Sequence, residues 1–369
     1  MNANRARELH VAVLGAAGTI APAIVRDMAE SEEVARMTLL DLDASRAAAV
    51  ADENGNGKAS AHPVDATDVE ALARALDGVD VLVNSASYRI NLEAMRACLA
   101  AGTNYLDLGG LYWMTQRQLM LSDQFDRAGL LAVLGIGSSP GKTNLMAARA
   151  VRELGDGGPP DTIDVGAAGR DFGAPSDGRL RPPYAIQTLL DELTLEPVVL
   201  RGSDATRIAP LTDGGELDFG RPIGPAETIF TLHSELATFG ESFGCRSASF
   251  RLSLAGPLLE RLRALVGADA EEVAAATREA ASPSAHTVSV HLVIVTGSRG
   301  ETIQARAVSE PHFGLGGSVV STAAPAAAAV RLLARGSLSA TGALPPERCI
   351  DPEEMFAELQ LRGCAVGLG

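Results

Sequence analysis

The sequence predicts an α/β fold in which a Rossmann-type, doubly wound parallel sheet is joined to a second, mixed α+β domain. Three observations predict it. Apolar, strand-like runs alternate with helix-compatible stretches throughout residues 1–137. A glycine turn follows the first apolar run and opens a helix, as in dinucleotide-binding units. Finally, 369 residues are too many for one minimal domain and suit two.

The first unit runs from an apolar strand at 10–14, through a turn, to a helix at 20–29 and a strand at 37–42. The turn has the spacing G-x-x-G-x-x-A, with Ala17 and Ala21 where glycines might stand. A glycine permits the tight turn, and the helix behind it presents free N–H groups to a pyrophosphate. The alternative is a glycine turn in an unliganded domain. The cofactor contacts predicted for this turn are Gly15, Ala17, Gly18, Thr19 and Ile20.

Asp41 ends the second strand and predicts which nucleotide is bound. A carboxylate at this position can accept hydrogen bonds from both adenosine ribose hydroxyls, and it would repel a 2′-phosphate. No arginine follows at once, and Arg46 is the nearest. We therefore expect NAD as the cofactor in preference to NADP. Asp43 is the weaker ribose candidate, since it could instead start the next helix.

Further cofactor contacts are expected where the next two strands end. Val64, Asp65 and Ala66 form a strand end before a helix at 68–76, and Asp65 could accept from the adenine amino group or cap that helix. The buried strand at 79–84 is followed by Ser85, Ala86 and Ser87. Ligands lie outside the carboxyl ends of such strands, so this segment should face the ribose or the nicotinamide.

The remaining elements continue the alternation. A helix at 91–101 stops at Gly102, and the strand at 104–108 carries Asp107 where an apolar residue is expected. A helix at 116–128, a strand at 130–137 and a helix within 138–153 follow, the last capped by Thr143 or Asn144. Lys142, at the start of that helix, is either a contact for a substrate carboxylate or a solvated charge at a turn.

The composition changes at a Gly/Pro-rich hinge, residues 154–161, where a mixed α+β region begins. We expect strands at 162–168 and 286–296, helices at 183–193 and 269–281, and helices again from about 318. Pro325 should lie near a helix start, and a last helix is expected at 352–362. The predicted domains are 1–140 for the nucleotide, 141–318 for substrate and oligomerisation, and 319–369 returning to the first domain.

Composition limits the partners. The formal net charge is −15, which argues against nucleic acid or an anionic membrane surface. The first ten residues lack the apolar core of a signal peptide, and no stretch approaches the ~20 apolar residues of a membrane span. The 4 cysteines are scattered without metal or redox-pair spacing. We expect a cytoplasmic protein with reduced cysteines, no metal site and a small-molecule substrate.

Five segments taken together resemble the saccharopine dehydrogenase family in the wide sense that includes lysine 6-dehydrogenase. They are VAVLGAAGTIAPAIVRDMAE, VDVLVNSASYRINLEAMRACLAAGTNYLDLGG, GIGSSPGKTNLMA, TLHSELATF and ALPPERCIDPEEMFAELQLRG. The resemblance implies an NAD(P)-dependent oxidoreductase acting on a carbon–nitrogen bond of an amino acid, and a homodimer formed through the middle domain. Ser139 stands where the family usually has an acid in the Pro140–Gly141 turn, which leaves the substrate open.

Within the family, the TLHSE segment and Asp41 favour the lysine 6-dehydrogenase branch, which oxidises an amine to an imine that water hydrolyses. Two alternatives stay open. One is reductive amination that joins an amine and an oxo acid, as in saccharopine, opine and carboxynorspermidine dehydrogenases. The other is a non-catalytic or cofactor-recycling NAD-binding protein.

Amine oxidation requires a neutral amine, so a base near neutral pKa or a carboxylate–imidazole pair is needed. His233 and Glu235 in TLHSELATF are the best candidates, and we expect both on one side of a strand. Asp107 could bind the substrate ammonium, or could serve a structural hydrogen-bonding role. A substrate carboxylate needs a cation, for which the candidates are Lys142, Arg170 and Arg246. Tyr88 and Tyr184 could shape the cleft, although each is more typical of packing.

Overall fold

The chain forms two compact units in the computed structural model, which describes residues 7–155, 158–173 and 177–369. The first unit extends to Lys142 and resumes at Thr322–Glu358, whereas the second comprises Thr143–Ser321 and Leu359–Gly369. Each unit is therefore built from two separate segments of chain. The predicted hinge at 154–161 falls partly on residues 156 and 157, which lie outside the described residues.

The first unit is built on seven parallel strands, numbered here in chain order. The strands are β1 (Leu9–Leu14), β2 (Val34–Asp41), β3 (Ala59–Pro63), β4 (Val81–Asn84), β5 (Asn104–Asp107), β6 (Leu131–Val133) and β15 (Gly342–Leu344). Their order in the sheet is β15-β6-β5-β4-β1-β2-β3, and every neighbouring pair is parallel. The Rossmann-type sheet predicted from the apolar runs is thus confirmed.

The connections between these strands are mostly helical. The helices are α1 (Ala21–Ala29), α2 (Ala44–Asn54), α3 (Val69–Ala75), α4 (Asn91–Ala101), α5 (Leu111–Leu119), α6 (Ser122–Arg127), α13 (Pro346–Cys349) and α14 (Pro352–Gln360), with a 3₁₀ turn at Tyr88–Ile90. The prediction of a single helix at 116–128 was wrong, because α5 begins five residues earlier and Met120 and Leu121 separate it from α6. Met120 is 80% exposed, so its apolar character did not mark a buried helical face.

The second unit is a mixed sheet with helices. Its elements are α7 (Lys142–Leu154), β7 (Thr162–Asp171), α8 (Ile186–Thr194), β8 (Val198–Arg201), β9 (Asp204–Arg207), β10 (Asp213–Asp218), β11 (Pro225–Phe230), α9 (Phe239–Phe243), β12 (Ser247–Ser253), α10 (Gly256–Ala264), α11 (Ala270–Glu279), β13 (Thr287–Thr296), β14 (Thr302–Ser309) and β16 (Cys364–Leu368). Helix α12 (Gly317–Ala334) begins in the second unit and belongs to the first from Thr322 onward. The sheet order is β10-β11-β12-β7-β13-β14-β16, and β8 joins β12 to β9. β12 and β7 are parallel, whereas β13 is antiparallel to both of its neighbours.

The end of the chain differs from the expectation for residues 319–369. That whole segment was expected to return to the first domain, but β16 pairs antiparallel with β14 in the second unit's sheet. β15, by contrast, adds a strand to the first unit beside β6. Tertiary pairing with a strand far away in the sequence decides each placement, and local periodicity does not carry that information.

Helix α12 is apolar and buried along most of its length. Pro325 is the ninth of its 18 residues, so the expectation that this proline lies near the helix start was wrong. Residues 326–329 are alanines with no exposed surface, and the helix persists around a residue that cannot donate its N–H. By length and composition α12 could cross a membrane, although 83% of it is buried within the protein.

One arginine ties α12 to two other helices of the first unit. The side chain of Arg331 is 2% exposed and contacts Asp27 of α1 at 3.0 Å and Glu358 of α14 at 2.8 Å. Arg335, one turn later, contacts Glu358 and also Glu33. Both oxygens of Glu358 are therefore paired, and the buried charge of Arg331 is matched by carboxylates.

Candidate functional site

The turn after β1 has the geometry of a phosphate-binding loop. Gly15 has φ +76°, and a Cβ there would lie 2.6 Å from the backbone of Ala86, so only glycine fits. Gly18 donates its N–H to the Gly15 carbonyl at 2.9 Å and is exposed. The N-cap of α1 is Ile20, whose side chain cannot cap the helix. The first turn of α1 thus lacks a side-chain cap, which suits an anionic ligand.

Asp41 joins this loop to the end of β2. One carboxylate oxygen accepts the Ala17 N–H at 2.9 Å, and the other accepts the Asp43 N–H at 2.9 Å. Each oxygen retains a second lone pair that a ribose hydroxyl could use. Arg46 reaches the same loop, since its Nη2 donates to the Ala17 carbonyl at 2.8 Å. The two residues that bear on cofactor choice therefore meet at Ala17.

Asp43 and Asp65 occupy local turns. Asp43 is the N-cap of α2, where its carboxylate accepts the Arg46 N–H, so the alternative of a helix start describes its observed contacts. Asp65 is exposed and accepts from the N–H and hydroxyl of Thr67, which lowers the pKa of its carboxyl group. The alternative that Asp65 caps the next helix was wrong, because Asp68 is the N-cap of α3. Val64 is buried and Ala66 is partly buried beside this turn.

The segment after β4 is held by local hydrogen bonds. Ser85 donates both its N–H and its hydroxyl to the Leu14 carbonyl, and the Ala86 N–H donates to Asn84 at 3.1 Å. Ser87 caps the 3₁₀ turn that carries Tyr88. Tyr88 is partly buried and lies under the guanidinium of Arg89, 4.9 Å from the ring centre. The strand-end positions predicted for the cofactor thus lie at the carboxyl edge of the first sheet.

Asp107 does not present a free carboxylate. It is 1% exposed, and its two oxygens accept hydrogen bonds from two backbone N–H groups and two side-chain amides. These contacts support the structural alternative and do not support the role of ammonium ligand that was predicted for Asp107. Burial raises the pKa of this carboxyl group, with Gln118 and Gly135 opposing the shift.

In the second unit, His233 and Glu235 form a buried carboxylate–imidazole pair. His233 Nδ1 lies 3.0 Å from Glu235 Oε2, and the two residues are 5% and 0% exposed. The imidazole stacks on Phe250 at 3.5 Å between ring centres, and Thr143 donates its hydroxyl to the other oxygen of Glu235. The prediction that both residues lie on a strand was wrong, because β11 ends at Phe230 and a 3₁₀ turn begins at Glu235.

A second carboxylate, Glu192, approaches the imidazole from α8. Glu192 Oε1 lies 3.9 Å from His233 Nε2, and Tyr184 donates its hydroxyl to Glu192 Oε2 at 2.6 Å. Glu192 is 4% exposed. The site is therefore an acid–imidazole–acid cluster, to which Tyr184 and Thr143 add hydroxyl groups at the two ends. The sequence run DELTLE at 191–196 contains three acids, and its periodicity does not show which of them faces inward.

The cluster is poised to hold a proton near neutral pH. Burial raises the pKa of Glu192 to about 7, although His233 and Tyr184 act in the opposite direction. Burial lowers the pKa of His233, but the charge and hydrogen bond of Glu235 outweigh it, and Glu192 adds to their effect, so this pKa lies above its ordinary value. Groups this close titrate as a unit, and the unit can accept or donate one proton.

The candidate cations are placed differently. Lys142 is fully buried, so the alternative of a solvated charge at a turn was wrong. Arg246 is exposed and pairs with Asp161 at 3.6 Å. Arg170 donates to the backbone and hydroxyl of Ser253, and burial lowers its pKa.

Arg170 and His233 lie on opposite faces of the second sheet. Val165 of β7 is registered with Phe250 of β12, the residue under the His233 ring. Arg170 is five residues beyond Val165, and an odd separation along a strand reverses the face. The second sheet therefore separates the side chain of Arg170 from the His233 cluster. Within the described residues, no group of three His, Cys, Asp or Glu side chains could hold a metal ion.

Comparison with known proteins finds a family model that matches most of the first segment of the first unit. Residues 11–133 match the family model described as the saccharopine dehydrogenase NADP binding domain. This part of the chain is therefore similar to the nucleotide-binding domain of that family, and the predicted resemblance is confirmed.

Solved structures extend the likeness to the whole fold. Saccharopine dehydrogenase (L-Glu forming) from Saccharomyces cerevisiae superposes with a TM-score of 0.71 at 15% identity, covering 98% of this chain and 99% of that one. Homospermidine synthase from Legionella pneumophila in complex with NAD gives 0.74 at 12% identity, with 98% and 92% covered. The two-domain fold class predicted from the sequence is confirmed by both.

Curated relatives cover less of the chain. Carboxynorspermidine synthase of Vibrio cholerae serotype O1 is 26% identical over 211 residues, which are 54% of this chain and 49% of the relative. Carboxyaminopropylagmatine dehydrogenase of Synechocystis sp. is 29% identical over 150 residues, 38% of this chain and 37% of the relative. The chain thus spans about half or less of the curated relatives that it matches.

Proposed function

We propose that this protein is an NAD(P)H-dependent oxidoreductase that joins an amine to an oxo compound by reducing the imine between them. The observation that carries the proposal is the buried Glu192–His233–Glu235 cluster in a chain whose other unit is a nucleotide-binding domain. The relatives support this choice, since one is a carboxynorspermidine synthase and another is a carboxyaminopropylagmatine dehydrogenase, and both names denote carboxylated polyamines. They favour the joining reaction over the lysine 6-dehydrogenase reaction that Asp41 and the TLHSE segment suggested.

The reaction balances as follows. A primary amine adds to an aldehyde or oxo-acid carbonyl and loses water, which leaves a carbon–nitrogen double bond. Protonation of that nitrogen gives an iminium, and hydride addition to its carbon gives a secondary amine. One proton and one hydride are consumed, and the oxidised cofactor is released. Oxidative deamination is the same sequence reversed, with water attacking the iminium.

The residues of the second unit handle the proton. Glu235 holds His233 through the Nδ1 contact, which orients the ring and leaves Nε2 toward Glu192. Glu192, with its pKa of about 7, is protonated in a large fraction of molecules at neutral pH and can supply a proton to the imine nitrogen or to the departing water. Tyr184 keeps Glu192 in place through its short hydrogen bond.

The residues of the first unit fit a nicotinamide dinucleotide. The turn at Gly15 and the start of α1 would hold the pyrophosphate, Asp41 the adenosine ribose, and the segment after β4 the nicotinamide end. When bound, the reduced nicotinamide supplies the hydride. Asp41 supports NAD, and the Legionella structure also contains NAD, whereas the family description names NADP. We take NAD as the proposed cofactor, to be tested at Asp41.

The test measures NAD(P)H absorbance with purified full-length chain. We expect NAD(P)H to be consumed only when a diamine and a short aldehyde bearing a carboxylate are both present, and the product to be their secondary amine by mass spectrometry. Formation of NADH from L-lysine and NAD alone would instead establish oxidative deamination. Absence of turnover in every combination, despite cofactor binding, would leave the non-catalytic alternative and overturn the proposal.

A further inference from the structure

Five buried side chains at the carboxyl ends of β4 and β5 form one hydrogen-bonded cluster, here named the Asp107 network. Its members are Asn84, Asn91, Tyr105, Asp107 and Gln118, and none is more than 1% exposed. Asp107 supplies the carboxylate, and the others supply amides and one phenol. Such an arrangement is costly unless its groups are satisfied, so its presence at this edge calls for a reason beyond packing.

Asp107 joins two loops of the first unit. One oxygen accepts the Gly109 N–H at 2.9 Å and the Gly135 N–H at 2.7 Å, which brings together the segments that follow β5 and β6. The other oxygen accepts from Gln118 at 2.6 Å and Asn91 at 3.2 Å. The backbone of Asp107 adds a further bond, since its carbonyl accepts the Ile136 N–H at 2.6 Å.

Asn84 carries the network to a third loop. Its amide donates to Asn91 at 2.9 Å and to Tyr105 at 3.1 Å, while its carbonyl oxygen accepts the Ala86 N–H. Ala86 is the residue whose backbone lies against Gly15 in the turn after β1. A continuous chain of contacts therefore runs from the β5 and β6 loops, through the segment after β4, to the phosphate-binding turn.

The loops held by Asp107 have conformations that need support. Gly109 has φ +126° and Gly135 has φ +78°, both in the region that favours glycine. Leu111, the first residue of α5, has φ +55° although it carries a branched side chain. Backbone strain of this kind persists only where the surroundings over-determine it, and it concentrates at ligand sites.

We propose that Asp107 is a positioning residue that sets the three loops after β4, β5 and β6 for the nicotinamide half of the dinucleotide. The inference rests on the nucleotide assignment of the proposed function. In the sheet order β6-β5-β4-β1-β2-β3, the phosphate-binding turn follows β1 and Asp41 ends β2. A dinucleotide lies along this edge across the switch point, so its nicotinamide half faces β4, β5 and β6.

Replacement of Asp107 by Asn tests the network through its donors. The Asn oxygen can retain Gly109 and Gly135, but the new NH₂ then faces the NH₂ groups of Gln118 and Asn91. Rotation of the Gln118 amide turns its oxygen toward the new NH₂ but turns its own NH₂ toward the NH₂ of Asn91. Asn91 cannot rotate in turn without loss, because its oxygen already accepts a hydrogen bond from Asn84. The disturbance passes to Asn84, and hence to the Ala86 N–H that it fixes.

The double variant Asp107→Asn/Gln118→Glu restores a matched donor and acceptor between residues 107 and 118, and gives up the 3.5 Å bond from Gln118 to Met95 Sδ. The Asn oxygen keeps the two backbone N–H groups, its NH₂ donates to the new carboxylate, and Asn91 donates to the same carboxylate. The pair has exchanged acid and amide without a change in the number of heavy atoms. Rescue by this variant distinguishes a positioning role from a requirement for a carboxylate at residue 107 that binds substrate directly.

The experiment measures two dissociation constants by calorimetry, one for ADP and one for the reduced dinucleotide that the wild-type chain prefers. Each constant of a variant is compared with the wild-type constant for the same ligand. ADP reports the adenosine and pyrophosphate half alone. We expect Asp107→Asn to weaken the dinucleotide by about tenfold and ADP by less than about twofold, and the double variant to recover both. Gln118→Met, which removes the amide that donates to Asp107 and accepts from Asn91 but keeps the Asp107 carboxylate, should give a smaller loss of the same selectivity.

Asn104→Ala is the matched control. Asn104 begins the same strand and also bonds adjacent strand ends, to the Asp80 carbonyl and the Leu131 N–H, but at the amino-terminal edge. It should lower the thermal midpoint while leaving the ratio of the two affinities unchanged. Equal loss of ADP and dinucleotide in Asp107→Asn, no loss in either, or the same selective loss in Asn104→Ala would each overturn the positioning role. A wild-type chain that binds no dinucleotide would overturn the nucleotide assignment itself.

Discussion

At the scale of single residues, Asp41 lies where two opposing cofactor preferences meet. Its carboxylate and the guanidinium of Arg46 both bond to Ala17 of the phosphate-binding turn. Asp41→Ala should weaken NAD and spare or improve NADP, because a ribose acceptor is lost together with a charge that repels the 2′-phosphate. We expect the ratio of dissociation constants to shift about tenfold or more, measured by calorimetry with both cofactors. Asp52→Ala, which removes an exposed acid from α2, is the control, and an unchanged ratio in Asp41→Ala would refute the ribose assignment.

His233→Ala should lower turnover by about 10²–10⁴-fold and leave cofactor affinity unchanged, because it removes the centre of the proton-handling cluster but no residue of the nucleotide domain. Steady-state kinetics and cofactor titration together check this. His286→Ala, at an exposed histidine of the same unit, should retain wild-type turnover. Full activity of His233→Ala would show that the imidazole is structural.

Glu192 predicts a pH dependence with a definite sign. If the protonated carboxyl supplies the proton, kcat/KM for imine reduction should fall as pH rises through about 7, and Glu192→Gln should remove that limb while reducing the plateau. The measurement is the pH profile in both variants. A profile that keeps its limb near pH 7 in Glu192→Gln would assign it to another group.

The same group affects stability. The pKa of the Glu192 carboxyl group is near 4.5 in the unfolded chain and about 7 in the folded one. Between these two pH values the unfolded chain therefore binds fewer protons than the folded chain, so the free energy of unfolding falls as pH rises. The raised pKa of His233 acts later, since its contribution is complete below pH 6.5 and is lost as pH rises through the folded value. Urea midpoints of Glu192→Gln should therefore decline less than those of the wild type between pH 4.5 and 7.

At the scale of residues, sequence patterns predicted the residue types needed for the chemistry but not the contacts that those residues make. The pair His233 and Glu235 was named from residue type and spacing, and the structure brings the two side chains to 3.0 Å. Glu192 was not named, because its partner is 41 positions away and nothing local distinguishes it from Asp191. Asp107 was noticed as an acid in an apolar strand, yet only the positions of Gly135 and Gln118 show what it bonds.

At the scale of elements, α12 depends on one buried charge. Arg331→Met should destabilise the first unit by about 3–5 kcal/mol, because Asp27 is left buried and Glu358 loses its bond to the Arg331 Nε. Arg335→Met is the matched control and should cost about 1 kcal/mol or less, since that side chain is 40% exposed. Chemical denaturation followed by circular dichroism separates them. Equal losses in the two variants would show that the burial of Arg331 is unimportant.

Strands were predictable from the sequence where a continuous apolar run corresponds to a buried strand. β4 is buried throughout and β1 is buried except at the partly exposed His10. Both strands were predicted to within two residues of their limits, since a continuous apolar run is compatible with few other structures. β9 and β10 were missed, because most of their residues are exposed or partly exposed and carry charges or glycines. Their pairing depends on hairpin partners, which local patterns describe poorly.

At the scale of the whole molecule, cofactor binding should appear as added stability. A dinucleotide present at one hundred times its dissociation constant should stabilise the folded chain by about 2.7 kcal/mol. A thermal shift that rises with cofactor concentration checks this, and His233→Ala should show the same increment. A midpoint that does not depend on cofactor concentration would contradict the assignment of the first unit as a nucleotide site.

The division into units was the least predictable property at this scale. Composition indicated a boundary near the Gly/Pro-rich segment, but nothing in it shows that residues 342–344 complete one sheet and 364–368 the other. Both strands are short, and each is defined by a partner that lies elsewhere in the chain. The prediction of two domains needed only length, whereas their membership needed the long-range pairing.

This interleaving has a consequence for synthesis on the ribosome. β6 emerges with one edge uncovered, and its neighbour β15 is translated about two hundred residues later, a delay of about 10–40 s at ordinary elongation rates. During that interval the nascent first unit has six of its seven strands and an open edge of the kind that recruits foreign strands. Slower translation of the intervening stretch would lengthen this exposure, so codon usage between the two strands bears on how much of the chain escapes aggregation.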